Sequence, residues 1–69
     1  MNIKYDTDAN AVYVNIVEVD VKIASTQGDW PFHVDLDDQG NVVGIEIMDA
    51  KETLSEEFLR TVKRSNSIS

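Results

Sequence analysis

The chain contains no cysteine, a single proline, three glycines and a single histidine. Without cysteine it can form neither a disulfide nor a thiolate metal site, and one histidine cannot build a structural zinc centre. None of the glycines falls in a phosphate-loop pattern, which excludes the common nucleotide-binding motifs. Basic residues are also scarce: six Lys and Arg against thirteen Asp and Glu give a net charge of −7. Nucleic-acid binding and docking on an anionic membrane both rest on Lys and Arg, so neither is expected. No apolar run approaches the roughly 18 residues of a membrane span. Met1-Asn2-Ile3-Lys4-Tyr5-Asp6 lacks the apolar stretch of a secretory signal, which makes the cytoplasm the expected compartment.

What remains is a globular composition, 42% hydrophobic and 28% charged, in a chain of 69 residues. That allows one small domain, expected over residues 1–64, with residues 65–69 as a disordered tail. A domain of this size buries only roughly 60% of its unfolded surface. With no disulfide or metal to help, its core must be well packed or be enlarged by a partner chain.

Hydrophobicity alternates with period two over most of the chain, which is the strand signature. Ile3 and Tyr5 share one side; Val12, Val14 and Ile16 share one side of the next run. Val19, Val21 and Ile23 predict a third strand, followed by a turn over Ser25–Asp29. Phe32, Val34 and Leu36, then Val43, Ile45 and Ile47, predict two more. Asp37-Asp38-Gln39-Gly40-Asn41 between them is the strongest hairpin signal, and Asp6-Thr7-Asp8-Ala9-Asn10 is a second Asp/Asn turn. Pro31 belongs at a strand start or on an edge, because it cannot donate to a ladder.

After Asp49 the period changes. Thr53-Leu54-Ser55-Glu56 fits a capping box, and Leu54, Phe58 and Val62 follow at helical spacing with Leu59 beside them. The expected fold is α+β: an antiparallel β-meander of about five short strands with one C-terminal α-helix. Five strands span roughly 20 Å, whereas a helix is some 10 Å across. One helix therefore covers only part of the apolar face.

Ile3-Lys4-Tyr5-Asp6 and Ala11-Val12-Tyr13-Val14 resemble the opening pattern of a group of small, mostly bacterial proteins. Val34-Asp35-Leu36-Asp37, Gly40-Asn41-Val42-Val43-Gly44-Ile45-Glu46-Ile47 and Asp49-Ala50 resemble its closing pattern. The group is domain-of-unknown-function family 2283, and the resemblance runs from residue 1 to about residue 54. Members typically carry an acidic residue where this chain has Asn10. The resemblance implies a compact sheet domain and assigns no activity. Some members lie beside small toxin-like proteins, which admits an antitoxin-like binding role.

Four constellations invite a functional reading. Asp35, Asp37, Gly40 and Glu46 nearly spell a calcium loop, but the period-two flanks argue for a hairpin instead of the helix–loop–helix such a loop requires. Asp6, Asp8 and Asn10 echo that spacing, with Ala11 in place of the needed glycine. His33 and Asp35 share a strand face with Glu46 across the ladder, an alternative site for a small enzyme or ligand-binding module. Trp30 and Phe32, or Tyr13, Val42 and Met48, are the candidate interface residues, because aromatic residues dominate binding hot spots. No cysteine or serine stands in a nucleophile context, so no catalytic residue, metal ligand or cofactor is assigned. The expected role is protein–protein interaction: a homodimer first, and a basic protein partner second.

Overall fold

The computed structural model describes residues 1–17, 21–65 and 67–68. Its strands are β1 (Asn2–Asp6), β2 (Ala11–Asn15), β3 (Ser25–Gln27), β4 (Phe32–Leu36) and β5 (Val42–Ile47). Two helices follow, α1 (Ala50–Thr53) and α2 (Glu56–Ser65), and then a two-residue strand, β6 (Ser67–Ile68). The strands form one sheet in the order β3-β4-β5-β2-β1-β6, and every neighbouring pair is antiparallel. The α+β antiparallel architecture expected from the period-two pattern is therefore present. The β1–β2 hairpin and the β3-β4-β5 meander join where β2 pairs with β5.

Both Asp-rich turns form. Asp6 Oδ1 accepts the Asp8 and Ala9 amides at 3.0 and 3.1 Å. Asp37 Oδ1 accepts the Gln39 and Asn41 amides at 2.9 and 2.8 Å. The Asn41 amide is the main reason that the Asp37 carboxyl lies below its usual pKa. Each turn closes with a left-handed residue, Asn10 at φ 54° and Gly40 at φ 82°. Asn and Gly are the residues that accept this conformation at low cost.

Three expectations need correction. The third strand lies over Ser25–Gln27 and not over the apolar run before it. Val19 falls outside the described residues, and Val21–Ala24 form no strand, although the Ala24 amide reaches the Leu36 carbonyl at 2.8 Å. The cause is Gly28. At φ 122° it has no Cβ to collide with the Phe32 carbonyl, which would lie 2.5 Å away. The return toward β4 is made there, and the Phe32 amide closes on the Asp29 carbonyl at 2.8 Å. Turning at Gly28 pairs the polar Ser25–Gln27 segment with β4. An edge strand exposed on both sides tolerates polar residues.

Second, the helix is broken. Leu54 is extended (φ −109°, ψ 156°) and separates α1 from α2. The cap of α2 is Ser55, whose Oγ accepts the Phe58 amide at 3.0 Å. Thr53 instead donates its hydroxyl to the Met48 carbonyl at 3.3 Å, so the Thr53–Glu56 capping box does not form. Phe58 stands where the box needs Glu or Gln, leaving only the hydroxyl half of the motif at Ser55. Third, the segment from Ser65 is not a frayed tail throughout. Ser65 ends α2, and Ser67–Ile68 pair with Lys4 and Ile3, using the outer ladder positions of β1.

The core lies between α1, α2 and the β1–β2 half of the sheet. Val12, Ala50 and Leu59 form its centre, with Ile3, Tyr5, Val14, Ile47 and Leu54 packed around them. Val12 and Val62 are fully buried, each removal from water contributing about 1.5–3 kcal/mol. The buried stripe of α2 runs through Leu59 and Val62, while Phe58 turns outward and is 37% exposed.

Candidate functional site

Strand alternation puts Thr26, His33, Asp35, Gly44, Glu46, Tyr13 and Asn15 on the sheet face opposite the helices. The register sets His33 and Tyr13 on either side of Glu46, and Thr26 beside Asp35. Asp35 itself pairs with Gly44. A Cβ at Gly44 would lie 3.2 Å from Asp35 Oδ2 and 3.3 Å from the Val14 carbonyl. The missing side chain therefore gives the Asp35 carboxyl a place to lie down on the sheet, where it is 7% exposed.

A buried carboxyl needs polar partners. Asp35 has two: the Thr26 hydroxyl donates to its Oδ1 at 2.8 Å, and the Glu46 carboxyl bonds to it directly. A hydrogen bond between two carboxyls requires a proton. That bond, then burial, then the charge of Asp35 push Glu46 up to about 7, so below that pH the pair holds one proton between its two carboxyls. The pair can present one acidic hydrogen and several acceptor lone pairs at the same place. Among the described residues no cluster of three or more His, Cys, Asp or Glu could hold a metal ion.

His33, Asp35 and Glu46, grouped by their alternation, thus do share one face, and two of them are bonded. His33 meets the Trp30 ring edge-on, with centroids 5.9 Å apart. The Trp30 indole N–H donates to Asp49 Oδ2 at 2.7 Å, yet the side chain remains 62% exposed. Asp37 sits at the hairpin loop, its oxygens occupied by loop amides and by the Asn41 side chain at 3.4 Å.

The interface candidates are dispersed. Phe32 lies on the helix side at the start of β4 and is 52% exposed. Tyr13 is on the opposite face. Val42 opens β5 at a bulge facing Leu36, whereas Met48 follows its far end and donates its amide to the Pro31 carbonyl at 2.7 Å. Val42 and Met48 are roughly 20 Å apart along the strand, so Tyr13, Val42 and Met48 do not form one patch.

Sequence reasoning missed Thr26 and Gly44, and it missed the capping role of Asn10. Gly44 left a signal, because an isolated glycine inside a strand marks a close approach. Asn10 left none. Its Oδ1 accepts the Lys51 amide at 3.0 Å, its Nδ2 donates to Glu52 Oε1 at 2.9 Å, and its carbonyl accepts the Ala50 amide at 2.9 Å. Asp49, the residue before α1, makes no side-chain cap, so the β1–β2 turn supplies one from across the fold.

Among the described residues no helix is long and apolar enough to cross a membrane. No curated protein and no solved structure matches the chain. Residues 2–51 match the family described as Protein of unknown function (DUF2283). They include β1 to β5, the Asp35–Glu46 pair and the Asn10 link to α1, and the chain belongs to that family.

Proposed function

We propose that the protein is a non-enzymatic cytoplasmic binding module that first pairs with a second copy of itself. One observation carries this reading: α2 packs on β1 and β6, at one side of the sheet, while among the described residues no comparable helix packing falls on the β4 side of the same face. Phe32 is 52% exposed and Ile16 38% at the two ends of that face. Half-buried Val34, Leu36 and Ile45 lie between them. A second copy presents the same apolar surface, and two-fold pairing is the commonest way for a soluble chain to cover such a face. The absence of cysteine suits a reducing compartment. The net charge of −7 favours a basic protein as a further partner, in keeping with an antitoxin-like role.

Sedimentation equilibrium tests the pairing. Two acidic copies repel, and salt screens that repulsion over about 8 Å at physiological strength. Association should therefore tighten from low to physiological salt. Phe32→Ser should weaken it about tenfold or more. A monomer at every salt and at high concentration would overturn the proposal.

The bonded carboxyl pair favours a second reading, a small-ligand site at Asp35 and Glu46 with His33 at its border. A ligand with adjacent donor and acceptor groups could replace the shared proton. Such binding should weaken as pH rises through 7 and Glu46 ionises.

A further inference from the structure

We propose that the groove between α1, α2 and β1 binds a small organic anion, a carboxylate or phosphate carried on an apolar body. The groove holds ≈ 440 Å³ and is lined by Tyr5, Lys51, Glu56, Leu59, Arg60 and Lys63. That volume lies within the range of small-molecule sites.

The charge distribution is the argument. The chain has only six Lys and Arg, and three of them line this one groove. Thirteen acidic residues are available to pair with them. Nevertheless, neither Lys51 nor Lys63 has an ion-pair partner among the described residues. Arg60 is held by Glu56 at 3.0 Å, in a pair with both side chains open to water. Exposed pairs of this kind are weak and readily exchanged. Glu56, Arg60 and Lys63 recur at helical spacing along one face of α2, and Lys51 reaches the groove from α1. The backbone of Lys51 is fixed by the Asn10 cap, so the two helices present their cations from settled positions.

The floor decides what kind of anion fits. Leu59 is buried at 7% exposure, and Tyr5 is half-buried with an aromatic ring and a hydroxyl. A bare inorganic ion would use the cations and leave that apolar floor wet. An anionic group attached to an aromatic or aliphatic body uses both. This groove lies at the β1 side of the helix-bearing face, away from Phe32 at the β4 side, so it is independent of the pairing surface proposed above.

Amide chemical shifts followed by NMR during titration test the site, with phenyl phosphate, benzoate, inorganic phosphate and neutral benzyl alcohol as probes. The expected result is saturable shifts confined to Tyr5, Lys51 and residues 59–63 with at least one aromatic anion. That probe should bind about tenfold more tightly than inorganic phosphate or benzyl alcohol. Saturation by phenyl phosphate alone assigns phosphate esters; saturation by benzoate alone assigns carboxylates; either supports the site. Lys51→Gln and Lys63→Gln should each weaken binding about threefold to tenfold, with unchanged thermal midpoints. Glu56→Gln should strengthen it by releasing Arg60. No saturable shift with either aromatic anion, equal binding of benzyl alcohol, or shifts centred on β4 would overturn the proposal.

Discussion

The two hairpin turns of this sheet are built alike and anchored differently. In each, an aspartate accepts two loop amides and a left-handed residue leads into the next strand. In the β1–β2 turn that left-handed residue is Asn10, whose side chain reaches 41 positions along the chain to cap α1. In the β4–β5 turn it is Gly40, and a Cβ there would meet nothing within 4 Å. The first turn is tied to the helix layer, while the second stands in solvent. The β4–β5 hairpin is instead held by a tie of its own, the proton shared between Asp35 and Glu46. Similar local chemistry therefore shapes both turns without fixing how much of the fold depends on each.

Breaking the first anchor should cost most. Asn10→Ala removes the Lys51 cap, the Glu52 bond and the tolerance of positive φ together. We expect a loss of about 2–3 kcal/mol in urea unfolding, with the m-value unchanged. Asn10→Gly restores the backbone freedom and should leave about 1 kcal/mol, the loss expected for Ser55→Ala at the local cap of α2. Equal losses for Asn10→Ala and Asn10→Gly would show that the left-handed backbone costs nothing, and an Asn10→Gly variant as stable as the native chain would show that the side chain caps nothing.

Breaking the second anchor is a matter of pH. The folded-state pKa of Glu46, about 7, is above its ordinary value of 4.5. Its contribution is fully present below pH 4.5 and is lost as pH rises toward 7. Asp37 acts in the other direction: its pKa is lowered, so its contribution is lost as pH falls below the carboxylate range. Glu46→Gln keeps a donor for Asp35 and removes the titration. Above pH 7 this variant should exceed the native chain by about 1–2 kcal/mol, allowing for partial exposure, and the two should converge near pH 4.5. Parallel pH profiles for the two proteins would separate the pair from the hairpin.

Gly40→Ala tests the exposed turn alone. No atom obstructs the new methyl group, so only the backbone term remains, about 1 kcal/mol. The smallest effect belongs to Thr53→Ala, which removes a 3.3 Å bond to a carbonyl and no helix cap. It should cost less than half of Ser55→Ala.

The same contrast explains what the sequence reveals. β1, β2, β4 and β5 are legible because their apolar residues alternate, and both turns are legible because Asp, Asn and Gly have short-range reasons to be there. β3 is not. The alternation of Val19, Val21 and Ile23 is a stronger local pattern than Ser25-Thr26-Gln27, and the clearance at Gly28 that moves the turn exists only after β4 is in place. The Asn10 cap, the break at Leu54 and the bonding of Asp35 to Glu46 are likewise relations between distant residues. His33, Asp35 and Glu46 could be placed on one face from period two. The proton between two of them depends on Gly44, which no spacing rule pairs with Asp35.

The ends of the sheet carry a consequence for how copies can assemble. β3 offers three residues to a neighbour and β6 two. An edge that short gives an incoming strand few backbone bonds, and strand-by-strand growth is the route to fibrils. Ser25, Thr26 and Gln27 are all exposed and polar, so such an addition would bury no apolar side chain at that edge. Face-to-face association about a two-fold axis uses itself up, whereas edge addition leaves a new edge each time. On the pairing proposed above, assembly should therefore stop at a small closed form, and concentrated solutions should stay clear and free of thioflavin-binding aggregates.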